Sequence, residues 1–195
     1  MRQHCAVIIG GLILLSACHD KSKKVADTAT KPATPAPSQH PAATSTKTFL
    51  IDTLAILTNR NLDKLLLQIE QDSLIESRKT RDIPPIIQSF LNQHGSFTIA
   101  DYGQPFNATD NIVEERPNRQ LLYLGIGNQT VLMTYYLGGF GLSERVLLFE
   151  VKDNNITDFW TGYLNPDAFD KRRIIQVLRA NKDKSWGVNT NALYL

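Results

Sequence analysis

The sequence predicts an α+β fold: N-terminal helices, an antiparallel β-meander of four to five strands, and a C-terminal helix packed on the sheet. Three observations predict it. Apolar residues recur at helical spacing up to residue 95, the period falls towards two between residues 121 and 162, and the later runs are separated by short segments of turn composition. Connections that short join antiparallel neighbours and cannot make a parallel crossover.

Taken in order, Leu50, Leu54 and Leu57 share one helical face. Asn61 is placed to cap a second helix, which carries Leu62, Leu65, Leu66 and Ile69 at 3.6-residue spacing. Pro84-Pro85 opens a third, with Ile86, Ile87, Phe90 and Leu91, and Gly95 ends it. Phe97 to Asp101 reads as a short strand. Four runs rich in β-branched and aromatic residues follow, at Leu121 to Ile126, Thr130 to Leu137, Arg145 to Val151 and Ile156 to Gly162. Their separators contain Gly127-Asn128-Gln129, Gly138-Gly139-Phe140-Gly141 and Asp153-Asn154-Asn155. In the second run Val131, Met133, Tyr135 and Leu137 point one way. Thr130, Leu132, Thr134 and Tyr136 point the other, and their mixed character predicts a partly wetted or partner-facing side. Asn165-Pro166-Asp167 then reads as N-cap, first-turn proline and first-turn acid, opening a helix with Phe169, Ile174, Val177 and Leu178. The helices are expected to cover one face of the sheet.

Residues 48–195 thus form one domain of ordinary size. What precedes them is of another kind. Arg2 is followed by an apolar run from Ala6 to Leu15, which is too short to span a bilayer and has the flanks of a signal-peptide core over residues 1–17. The run ends in Leu15-Ser16-Ala17-Cys18, which resembles the lipobox of bacterial lipoproteins. The resemblance implies cleavage before Cys18, a diacylglyceryl group on its thiol and an acyl chain on its new amine. That covalent lipid is the only non-protein group expected, and several acyl chains hold stably, at about 0.8 kcal/mol per buried methylene. In related lipoproteins an Asp after the Cys favours inner-membrane retention. Here His19 follows, so the resemblance implies the outer membrane, with the domain facing the periplasm.

Residues 18–47 read as the lipidated Cys and a disordered tether, with Val25 its only large aliphatic residue after Cys18 and no aromatic. As a flexible coil, His19 to Lys47 would span roughly 30 Å root-mean-square, and its prolines would lengthen that. Asp20 to Lys47 holds five lysines and two aspartates, whereas Thr48 to Leu195 holds 15 basic and 17 acidic residues. Lys21, Lys23 and Lys24 either face an anionic membrane, where each contributes about 1 kcal/mol, or simply keep the tether soluble.

The domain contains no cysteine and one histidine, His94. Disulfides, thiol catalysis and cysteine metal sites are therefore excluded, and a triad or metal centre is short of residues. No catalytic residue and no metal ligand is assigned. His94, beside Gly95, reads as a helix-terminal residue. The glycine clusters at 125–127 and 138–141 lie between strands, which suits hairpin turns and not a phosphate loop. Glu114 with Glu115, Asp153 with Asp158, and Asp167 with Asp170 are carboxylate pairs without diagnostic spacing. Lys171-Arg172-Arg173 reads as the solvated face of the last helix, and no nucleic-acid partner is expected. The ligand-binding candidates are Tyr136, Phe140, Arg145 and Trp160, on the sheet's second face and its Gly138 to Gly141 loop. Asp27-Thr28-Ala29, Asp52-Thr53-Leu54 and Asp72-Ser73-Leu74 resemble the Asp-Ser/Thr-apolar O-glycosylation sites of some exported bacterial proteins, and only Thr28 is expected to be accessible. The expected function is that of a membrane-anchored cell-envelope lipoprotein, a non-enzymatic module that binds an envelope protein, peptide or other ligand. The alternative is a carboxylate-dependent hydrolase of an envelope polymer.

Overall fold

A computed structural model describes residues 49–164 and 169–184. Cys18, Thr28, the tether and Asn165-Pro166-Asp167 lie outside the described residues. The elements run α1 (Thr53–Leu57), α2 (Leu62–Gln71), β1 (Ile75–Ser77), a 3₁₀ turn (Thr80–Asp82), α3 (Pro85–Gln93), β2 (Arg119–Ile126), β3 (Thr130–Leu137), β4 (Ser143–Lys152), β5 (Asn155–Leu164) and α4 (Lys171–Asn181). The α+β architecture is the one the sequence predicts. One five-stranded sheet has the order β1-β2-β3-β4-β5, every neighbouring pair antiparallel.

The β4–β5 turn shows why the meander forms. Lys152 pairs with Asn155, leaving Asp153 and Asn154 as a two-residue loop, both with positive φ (49° and 57°). Asp and Asn tolerate that conformation, and turns of this hand match the twist of the strands they join.

Helices lie on both faces of the sheet, which corrects the expectation of one covered face. Glu150 and Asp158 are opposite one another on β4 and β5, and Lys64 of α2 reaches both. Phe149 and Phe159 form the adjacent pair, and Phe90 of α3 packs on both of their rings, at 5.5 and 4.9 Å. Successive strand residues point to opposite sides, so α2 and α3 sandwich the sheet. α4 lies against α2, where Lys171 donates to the Glu70 and Asp72 carbonyls and Arg179 pairs with Glu70. Thr130, Leu132 and Thr134, expected to face water or a partner, are buried on the α2 side.

Other expectations shift locally. Leu50 precedes α1 and is exposed, and Leu54 is 61 % exposed, because α1 is one short turn that buries Ala55 and Ile56 instead. Asn61 stands at the start of α2 but caps nothing; its amide donates to Asp158 and to the Phe159 carbonyl, tying α2 to β5. Phe97 to Asp101 is not a strand. Only Ala100 bridges, in parallel, to Gln120, while Asp101 turns away to accept from the Thr80 amide. The three-residue β1, absent from the sequence reading, pairs with the other end of β2. α4 is capped by Asp170, whose side chain accepts from the Arg173 amide.

Candidate functional site

The structure does not gather the four predicted ligand-binding residues. Trp160 is wholly buried on the α2 side and its indole N–H donates to Asn59 at 3.1 Å, which is a core role. Tyr136 points to the same side near the end of β3, half-buried and stacked on Phe106 (6.3 Å, 10° between planes). Phe140 is fully exposed in the β3–β4 loop. Arg145 points to the α3 side, and the side chains around it form the candidate site.

Tyr135, Arg145 and Tyr163 stand opposite one another on β3, β4 and β5, in one rung of the ladder. The Arg145 guanidinium lies 3.9 Å from the centroid of the Tyr163 ring. Phe97 meets Tyr135 edge-on at 5.5 Å, and the Arg119 guanidinium lies over the Phe97 ring at 4.6 Å. Arg145 is 1 % exposed, its Nε and Nη1 have no hydrogen-bond partner, and among the described residues no carboxylate pairs with it. Burial pushes the Tyr135 hydroxyl above its ordinary pKa, while Arg119 and Arg145 pull against that shift without overcoming it. The cluster is thus rich in donors and in positive charge. Guanidinium groups stay protonated, so the arrangement is suited to pairing with negative charge.

The carboxylates are arranged differently. Glu150 accepts from Lys64 (3.0 Å), Gln68 (2.6 Å) and Thr157 (3.1 Å), and Lys152 lies 2.8 Å away. Burial alone would raise its pKa, but the hydrogen bonds from Lys152, Lys64, Gln68 and Thr157 outweigh it and bring the group down to about 2. A carboxyl held ionised in this way is an anchor for α2 and a poor general acid at neutral pH. Glu114 and Glu115 are exposed in the loop before β2, Asp153 is in its turn, and Asp167 lies outside the described residues. His94 follows α3 and packs edge-on to Phe90 at 4.7 Å.

Two open clefts flank these groups. One, of 410 Å³, is lined by Ile83, Leu91, Phe97 and Ile99 with Thr80 and Gln88. The other, of 770 Å³, runs along α2, α4 and β1, where Glu70 is paired with Arg179 and Glu76 accepts from the Tyr123 hydroxyl. Lys171, expected to be solvated, instead caps the carbonyls at the end of α2. Among the described residues no three His, Asp or Glu side chains are placed to hold a metal, and no helix is long and apolar enough to cross a membrane. Thr53 and Ser73 are exposed, contrary to the expectation that only Thr28 among the Asp-Ser/Thr sites is accessible. Their preceding acids are engaged, Asp52 with the Ala55 amide and Asp72 with Asn128, Gln129 and Thr130.

No family model matches the chain, nor does any curated protein or solved structure.

Proposed function

We propose that the chain is a lipid-anchored, non-catalytic binding module of the cell envelope, held at the outer membrane by Cys18 and facing the periplasm. The observation that carries the anchor is Leu15-Ser16-Ala17-Cys18 directly after an apolar run too short to cross a bilayer. A tether of 29 residues between Cys18 and Thr48 then gives the domain a working radius of roughly 30 Å. Support for binding comes from Arg145, a buried charge whose Nε and Nη1 have no hydrogen-bond partner among the described residues. Such a group costs stability unless something pairs with it. The Glu150–Asp158 pair, opposite one another on β4 and β5, is engaged by Lys64, which supports a structural role.

Replacing Cys18 with Ser tests the anchor. The variant is expected in the soluble fraction of cells in which the wild-type protein sediments with membranes. A variant that still sediments, and is extracted only by detergent, would rule the anchor out.

A further inference from the structure

We infer that the Arg145–Tyr135 cluster is an oxyanion site that receives a carboxylate or phosphate group of the ligand. The inference rests on the reading of the domain as a binding module and names the chemistry of its site.

The guanidinium of Arg145 is 1 % exposed, and neither Nε nor Nη1 reaches an acceptor. Arginine cannot neutralise itself to escape the desolvation penalty, as a buried lysine does by shedding a proton or a buried carboxylate does by taking one up. Among the described residues no carboxylate pairs with it. On the same face of the sheet stand Tyr135, Tyr163 and Thr161, and Arg119 near Tyr135 adds a second positive charge. Glu144, its neighbour in sequence, is on the opposite face of β4. The guanidinium lies over the Tyr163 ring, and the Tyr135 hydroxyl, a phenol that is protonated at neutral pH, is a donor without a hydrogen-bond partner among the described residues. Planar donors beside a phenol match the several acceptor lone pairs of a carboxylate or phosphate.

The proposed access is from the end of the sheet, since neither described cleft is lined by Arg145. The Tyr135–Arg145 rung is one side-chain repeat from Leu137 and Ser143, where β3 and β4 end in their loop. Leu137, Ser143 and Tyr163 are partly exposed there, with Phe140 and Leu142 exposed beyond them. An anionic group entering end-on would meet the guanidinium within one residue pair of solvent.

The test is thermal unfolding of the full-length protein in phosphate, in succinate and in chloride at equal ionic strength, for the wild type and for Arg145→Met. Phosphate strengthens apolar burial in any protein, so the quantity read is the difference between the two proteins. A bound anion at about ten times its dissociation constant is expected to raise the wild-type Tm by roughly 3–6 °C over chloride, with the gain abolished in Arg145→Met. A gain in phosphate alone identifies a phosphoryl ligand, and one in succinate alone a carboxylate. If Arg145→Met does not fold, Tyr135→Phe is read in its place, and its gain should fall to less than half that of the wild type. The inference is overturned if neither anion stabilises the wild type beyond chloride, or if the folded variant gains as much as the wild type. Because none of these readouts depends on Cys18, a negative result leaves the membrane anchor standing.

Discussion

Glu150 illustrates how one buried carboxylate can hold a helix to a sheet. It is 2 % exposed on β4 and receives four polar partners, two of them lysines that remain half-exposed. Its pKa of about 2 is depressed below the usual glutamate value. The stabilisation it gives is therefore complete above the ordinary carboxylate range and is lost as pH falls through that range towards 2. Glu150→Gln keeps the shape and removes the charge. It should cost about 1–3 kcal/mol at neutral pH, and its urea midpoint should fall less than that of the wild type between about pH 6 and pH 3. Equal falls in both proteins would assign the acid sensitivity to other groups. The residues around Arg145 were only half legible in the sequence. Arg145 itself stands out at the start of a strand, but its depth, and the alignment of Tyr135 and Tyr163 on either side, depend on a strand register that the loop before Ser143 leaves open. Trp160 and Tyr136 looked equivalent to it because an aromatic in a strand has the same composition whether it faces a helix or a ligand.

At the level of elements, the turns carry more than chain reversal. The carboxylate of Asp72, at the end of α2, accepts from the Asn128 and Gln129 amides and the Thr130 hydroxyl, fastening that helix to the β2–β3 turn. A Cβ on Gly127 would collide with this carboxylate, so the glycine is there to let Asp72 approach. Asp72→Ala should cost about 1–3 kcal/mol and speed hydrogen exchange at the Asn128 and Gln129 amides. Unchanged exchange there would mean that the turn holds itself. Gly138 has a similar role on the other hairpin, since a Cβ there would overlap the Asn107 carbonyl. Asn107 in turn orders the loop before β2 through Val113, Arg116 and Asn118. Gly138→Ala should destabilise by about 1–3 kcal/mol, seen as a lower urea midpoint with unchanged slope. Turn composition made both hairpins visible in the sequence. β1 stayed hidden because three residues cannot display a period, and the Phe97–Asp101 segment looked like a strand because its alternation serves packing of Phe97 and Ile99, not ladder pairing.

For the molecule as a whole, the sandwiching of the sheet between α2 and α3 changes where a ligand can approach. Both faces are covered over much of their length, so the partner-facing side inferred from Thr130, Leu132 and Thr134 is core. Among the described residues, those exposed nearest the arginine cluster are at the end of the sheet, Phe140 and Leu142 in the loop between β3 and β4. Sequence periodicity assigns residues to a face but not helices to faces, because α2 and α3 each show one apolar stripe whichever side they choose. The reading of a tethered binding module joins this domain to a membrane through Cys18, and that link is open to direct measurement. Mass spectrometry of the N-terminal peptide of the mature protein should find a chain that begins at Cys18 and carries the mass of a diacylglyceryl group and an amide-linked acyl chain. A mature chain that retains residues 1–17, or begins at an unmodified Cys18, would contradict it.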